Sequence, residues 1–187
     1  MKPPRGKHER IKTEALRLFA ERGVDAVSVR DIALACDMKA PNLYAHFDSK
    51  DALVRSLFEE GFAAYAELLT DAAAGPEPFQ VRLDRMVRTI CRLHDTDTNR
   101  FRFLLIAQHD ALADIAADDR NPIEVVVRTI HTAMDSGDIP RRDPALVALA
   151  LVGLLVQPAS GKLYGRLNGG LSNHADELSA MAWRIVT

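Results

Sequence analysis

The stretch Lys39-Ala40-Pro41-Asn42-Leu43-Tyr44-Ala45-His46-Phe47-Asp48-Ser49-Lys50 divides its chemistry in two. Its start, Lys39 to Asn42, is small or polar. From Tyr44 onward it carries a phenol, an imidazole and an ammonium, groups that bond phosphate oxygens. A short helix that starts small and polar and ends in phosphate-binding groups suits insertion into a groove of duplex nucleic acid. Leu43 and Phe47, four residues apart in the same stretch, are expected to face the protein's own core, as are Phe19 and Ile32.

Such a helix works only if other elements hold it, and the spacing of apolar residues supplies them. Ile11, Ala15, Leu18 and Phe19 mark one face of a first helix, stopped by Gly23. Ser28-Val29-Arg30-Asp31 reads as a capping box opening a short second helix that ends near Cys36. Asp37 takes the turn, where it tolerates a left-handed backbone, and Pro41 falls in the first turn of the third helix. Three short helices with a tight turn between the second and third, followed by a long helix capped at Asp48 or Ser49, form a helix-turn-helix arrangement.

At this level the sequence resembles the tetracycline-repressor (TetR) family of transcriptional regulators. The resemblance covers about residues 8–60 and is carried by RIKTEALRLFAERG, VSVRDIALAC and APNLYAHFDSKDAL. It implies that Tyr44, His46 and Lys50 touch the DNA backbone and that Ser28 does likewise. It also implies that Arg30, Lys39, Ala40, Pro41 and Asn42 face base edges. Their chemistry suits that role, since Arg pairs with guanine, Asn with adenine, and Ala and Pro press on thymine methyls. An arm with Lys2, Arg5 and Lys7 adds cations. Two departures from the family pattern stand out: Asp37 where glycine is usual in the turn, and Lys39 where a capping Ser or Thr is frequent.

Charge distribution agrees with a polyanion-binding N-terminus. Residues 1–50 hold ten Lys and Arg against seven Asp and Glu, whereas the remainder holds fourteen against nineteen. The expected domains are therefore 1–50, the DNA-binding head, and 51–187, a helical effector-binding and dimerisation bundle.

Beyond the head the period stays helical, giving an all-α fold of about nine helices. Ala74-Gly75-Pro76-Glu77-Pro78 breaks the chain after the fourth helix, and Asp95 to Asn99 breaks it again after the fifth. Leu83, Met86, Ile90 and Leu93 mark the fifth helix, Phe101 to Leu105 the sixth, and Ile123 to Met134 the seventh. Pro144 opens the eighth helix, apolar on every side from Ala145 to Val156 and expected to kink or break at Pro158. A ninth begins near Asn173.

By period and by resemblance this region packs as a bundle around an effector pocket. The candidate lining residues are Phe62, Tyr65, Met86, His94, Phe103, His109 and Met134. The eighth and ninth helices, with small Ala148, Ala150 and Gly153, are the expected surface of a two-fold homodimer. Its partners would be a roughly palindromic double-stranded operator and an unidentified small molecule that releases it.

Other classes find little support. No Walker loop, G-x-S-x-G elbow, H-E-x-x-H pair or dinucleotide glycine fingerprint occurs, so no enzyme activity, cofactor or metal is expected. Cys91 and His94 lie one helical turn apart without a third ligand nearby. Cys36 and Cys91 are expected to be buried, reduced thiols. The longest apolar run is shorter than the roughly 20 residues of a membrane helix, and MKPPRGKHERIK lacks a signal-peptide core. A cytoplasmic protein without a membrane partner follows. The competing readings are a DNA-binding dimer that lacks an effector or acts as an activator, and, more remotely, a helical enzyme or adaptor.

Overall fold

A computed structural model of the chain describes residues 6–105 and 120–187, and every regular element among them is helical. The elements are α1 (Lys7–Arg22), α2 (Val29–Ala35), α3 (Ala40–Tyr44), α4 (Lys50–Ala73) and α5 (Phe79–Thr96). They continue with α6 (98–105), α7 (Pro122–Asp135), α8 (Pro144–Leu163), a 3-10 turn at Leu171–His174 and α9 (Ala175–Val186).

The chain packs as two units, the first holding residues 6–61 and 99–105 and the second 62–98 and 120–187. These packing units do not coincide with the functional division expected after Lys50: packing divides after Gly61, and α6 returns to the first unit. Aromatic burial explains the return. Phe101, Phe103 and Leu104 are buried, and Phe103 stacks on Phe19 of α1 with ring centroids 5.9 Å apart. Gly61 admits α6, because a Cβ there would lie 3.0 Å from Leu104 Cδ2.

Local signals set the ends of the first helices. Gly23 terminates α1 at φ 83°, a region glycine occupies without steric cost. The α2 C-terminus closes as a Schellman motif: Met38 N–H donates to Ala33 O at 2.9 Å and Asp37 N–H to Leu34 O at 3.0 Å. Asp37 occupies the left-handed position at φ 53°. It is thus the residue that does what glycine commonly does, and the tight turn survives the departure.

In the second unit, α4 ends without a basic residue of its own, so its last carbonyls need donors from elsewhere. Arg85 of α5 supplies them, with Nε donating to Ala72 O at 2.7 Å and Nη2 to Ala74 O, while Arg82 Nη1 reaches Ala73 O at 3.3 Å. Ala66, Leu69 and Ala72 of α4 pack with Met86 and Val125 in one buried cluster. α5, α8, α9 and the 3-10 turn pack on one another.

Pro158 does not break α8, which runs as one helix to Leu163; Leu151 and Ala159 on either side of it are buried. The apolar window is also longer than the run to Val156, since Pro144–Lys162 is long and apolar enough to cross a membrane by length and composition. Here Val147, Ala148, Leu151 and Ala159 are buried within the unit, while Leu146 and Leu149 are 68% and 55% exposed.

Candidate nucleic-acid interface

The head is built so that its core fixes what its surface presents. Ile32, Ala33, Leu43 and Phe47 are buried, which turns Arg30, Lys39, Pro41, Asn42, Tyr44 and His46 outward, all of them exposed. Ala40 is half-buried at the start of α3. Lys39 is the N-cap of α3 and makes no side-chain cap bond. Pro41 falls within its first two positions, where the missing N–H has no intrahelical role. Tyr44, 53% exposed, stands beside buried Leu43. The segment from Arg30 to His46 therefore exposes a guanidinium, an ammonium, an amide, a phenol and an imidazole.

Ser28 is exposed but already engaged. Its Oγ accepts from Asp31 N–H at 3.2 Å and donates to Asp31 Oδ2 at 2.5 Å, while Ser28 N–H donates to the same oxygen at 2.8 Å. The capping box is thus complete, and these bonds from the Ser28 hydroxyl and N–H hold the Asp31 carboxyl below its ordinary range. A phosphate contact by Ser28 would have to share a committed hydroxyl.

Lys50 is half-buried, and its ammonium donates to Val24 O at 3.1 Å and Val27 O at 3.3 Å. It fastens the loop between α1 and α2 to the start of α4. Two of its three donors are used, leaving one N–H for another acceptor. Lys7, the first residue of α1, is exposed, whereas Lys2 and Arg5 lie outside the described residues.

His8 received no role from the sequence, yet it sits beside the surface just described. Its ring stacks on Phe47 with centroids 4.6 Å apart and meets the His46 ring edge-on at 6.2 Å. Only its position next to Lys7 at the start of α1 hinted at this. On the same helix, Lys12 pairs with Glu60 of α4. Burial opposes the Glu60 charge, but Lys12 and Ser56 outweigh it and hold that carboxyl below its usual range.

The expected effector-lining residues are less united. Phe62, Tyr65, Met86, His94 and Met134 are buried in the second unit, and Met86 belongs to its packed cluster. Phe103 lies in the first unit, apart from the other candidates, and packs on Phe19. His109 lies outside the described residues. Two surface grooves of the second unit are lined instead by α5, the 3-10 turn and α9. Arg85, Arg88, Arg92 and Ser172 line one; Leu83, Ser179, Trp183 and Arg184 line the other. Neither includes any of the candidates.

Both thiols are buried. Burial pushes the Cys36 thiol up from its usual value and Cys91 up to about 11, so neither is a ready nucleophile. Among the described residues no group of three or more His, Cys, Asp or Glu could hold a metal ion.

Residues 11–57 match the family described as "Bacterial regulatory proteins, tetR family". A curated relative, the HTH-type transcriptional repressor KstR2 of Rhodococcus jostii, is 40% identical over 68 residues, covering 34% of this chain and 33% of that protein. The alignment thus spans about a third of the relative's length. Two solved structures share the fold over nearly the whole chain. The fatty acid degradation regulator FadR of Bacillus halodurans has a TM-score of 0.83 at 15% identity, covering 97% of this chain and 96% of that one. AibR, solved in complex with isovaleryl coenzyme A and operator DNA, has a TM-score of 0.77 at 20% identity, covering 94% and 97%.

Proposed function

Because this chain belongs, through residues 11–57, to the tetR family of bacterial regulatory proteins, we propose that it is a cytoplasmic transcriptional repressor. In this reading it binds a palindromic operator as a homodimer and leaves it when a small-molecule effector binds the C-terminal unit. Regulation, not catalysis, is its activity. The observation that carries this reading is that one short segment exposes Arg30, Lys39, Pro41, Asn42, Tyr44 and His46 while burying Ile32, Leu43 and Phe47. Asn42 and Arg30 would read base edges, Tyr44 and His46 would bond phosphates, and Lys50 would set the loop while offering its remaining N–H. Ser28 would contribute mainly through its capping box.

The dimer proposal draws on α8. Leu146, Leu149, Ala150 and Gly153 follow a spacing of three, four and seven residues and so share one face. Two of them are large apolar side chains largely exposed to solvent, and Met181 of α9 is 37% exposed. A second copy of the same face would cover this surface with two-fold symmetry. Selection of bound fragments from random duplex DNA should enrich an inverted repeat with half-site centres about 34–36 Å apart, or a multiple of one helical turn. Enrichment of a single asymmetric motif, or of nothing, would contradict the dimeric operator reading.

A second reading, a DNA-binding dimer without a small-molecule effector, draws on the burial of Phe62, Tyr65, Met86, His94 and Met134. Thermal-shift and operator-release measurements separate the two. Acyl-coenzyme A thioesters are the first class to try, since AibR is described with isovaleryl coenzyme A.

A further inference from the structure

The imidazole of His8 lies flat on Phe47, with an interplanar angle of 22°, so the floor of the head's core holds the ring in place. Its side chain is nevertheless 46% exposed. His46, also exposed, presents its ring at 63° to that of His8, centroids 6.2 Å apart. Two imidazoles from elements far apart in sequence, the start of α1 and the end of the α3 segment, are thus paired at one edge of the proposed DNA surface.

Each ring nitrogen lies about 1 Å from its centroid, and a charge-assisted N–H···O bond adds about 2.8 Å. Rings 6.2 Å apart can therefore close on the two free oxygens of one phosphodiester. We propose that His8 and His46 together grip a single backbone phosphate of operator DNA, and that this grip makes operator affinity rise as pH falls. The inference rests on the DNA-binding reading and adds to it a residue and a regulation of the same site.

The sign follows from proton linkage. An imidazole changes charge between about pH 5 and pH 8. In the free chain, charging both rings sets two cations side by side. A phosphate between them favours the doubly protonated pair, so the complex binds more protons than the free components, and lowering the pH drives association. The groups around the pair are mixed. Glu9 lies 3.7 Å from His8 Nδ1, and Glu60, paired with Lys12 on α1, also senses His8. Tyr44, Asp48 and Lys50 are the nearest titratable neighbours of His46 along the chain, and Lys50 is committed to the Val24 and Val27 carbonyls.

The test is fluorescence anisotropy of the full chain on a duplex enriched by selection and on a random-sequence duplex. It is run from about pH 8 to about pH 6 at constant ionic strength. Affinity should rise about tenfold across that range, and the dependence on salt should steepen at the acid end as a charged contact is added. H8Q and H46Q should each remove most of the rise, because one phosphate needs both rings. H8R, charged at every pH in the range, should bind more tightly than the unaltered chain at the alkaline end and show a shallower pH profile, since only His46 still titrates. Melting curves of the free variants check that the head is folded. If H8Q keeps the full pH dependence, or H8R leaves the profile unchanged, the phosphate grip is wrong while DNA binding stands. If no duplex is bound at any pH, the DNA-binding reading falls and the grip with it.

Discussion

Phe103→Ala will destabilise the N-terminal unit by about 3–5 kcal/mol, the usual cost of deleting a fully buried aromatic ring. The Phe103 side chain is 0% exposed and stacks on Phe19 at an interplanar angle of 24°, and Phe19 is likewise 0% exposed. Removing either ring leaves the other facing a cavity, so relaxation can recover only part of the loss. For a chain of this size the melting temperature should fall on the order of 10 °C, and operator affinity should decline with the fraction of folded heads. A pocket-lining Phe103 would give the opposite pattern, with near-normal stability and an altered response to effector. Differential scanning calorimetry of the variant distinguishes the two, and an unchanged melting profile would rule out the α1–α6 aromatic stack as a support of the head.

Asp95→Asn should cost the C-terminal unit about 2–3 kcal/mol, because it weakens two charge-assisted bonds from backbone N–H groups. Asp95 Oδ1 accepts from Leu171 N–H at 2.7 Å and Oδ2 from Ser172 N–H at 2.9 Å. His94 Nδ1 lies 3.0 Å away and Lys162 Nζ 3.8 Å away. One carboxylate thereby ties the end of α5 to the 3-10 turn that leads into α9. Gly170 makes the approach possible, since a Cβ there would stand 2.6 Å from Asp95 Oδ2. Gly170→Ala should reproduce much of the loss.

Burial alone would push the Asp95 carboxyl up, but His94, Ser172 and Leu171 outweigh it and hold it well below the ordinary range. A depressed folded value means that the stabilisation is fully present above the unfolded carboxylate value, about 3.9. It is lost as pH falls through the folded one. The stability difference between the parent and Asp95→Asn should therefore be constant near neutrality and shrink in acid below about pH 4. Urea unfolding across that window checks it. A difference that grows in acid would mean that the carboxylate does not carry the clamp.

How much of this was legible depended on the distance along the chain between the groups involved. The Ser28–Asp31 capping box, the Gly23 stop, the left-handed Asp37 and the early position of Pro41 in α3 are local matters. Each could be read from three or four adjacent residues. Lys50 could not, since its ammonium meets carbonyls 26 and 23 residues away, and a lysine beside Ser49 looks the same whether it faces phosphate or backbone. Phe103 is ambiguous for a related reason: a helical aromatic stripe reads identically whether it lines a pocket or fills a core, and its partner Phe19 lies 84 positions earlier. The Asp95–Gly170 contact spans 75 positions, and the sequence offered Asp95 only as a breaker. In fact α5 runs to Thr96 and is capped at Asp97. His8 escaped notice because its significance lies wholly in its neighbours Phe47 and His46.

The central claim is that the surface from Lys39 to His46 reads duplex DNA, and a titration of the enriched duplex against N42A and Y44F at fixed salt tests it most directly. Loss of a bidentate Asn–adenine pair should weaken the enriched duplex by about 1–3 kcal/mol, or roughly five- to 150-fold, while barely changing binding to random DNA. Loss of the Tyr44 hydroxyl should weaken both duplexes alike. Wild-type affinity in both folded variants, on both duplexes, would contradict the account.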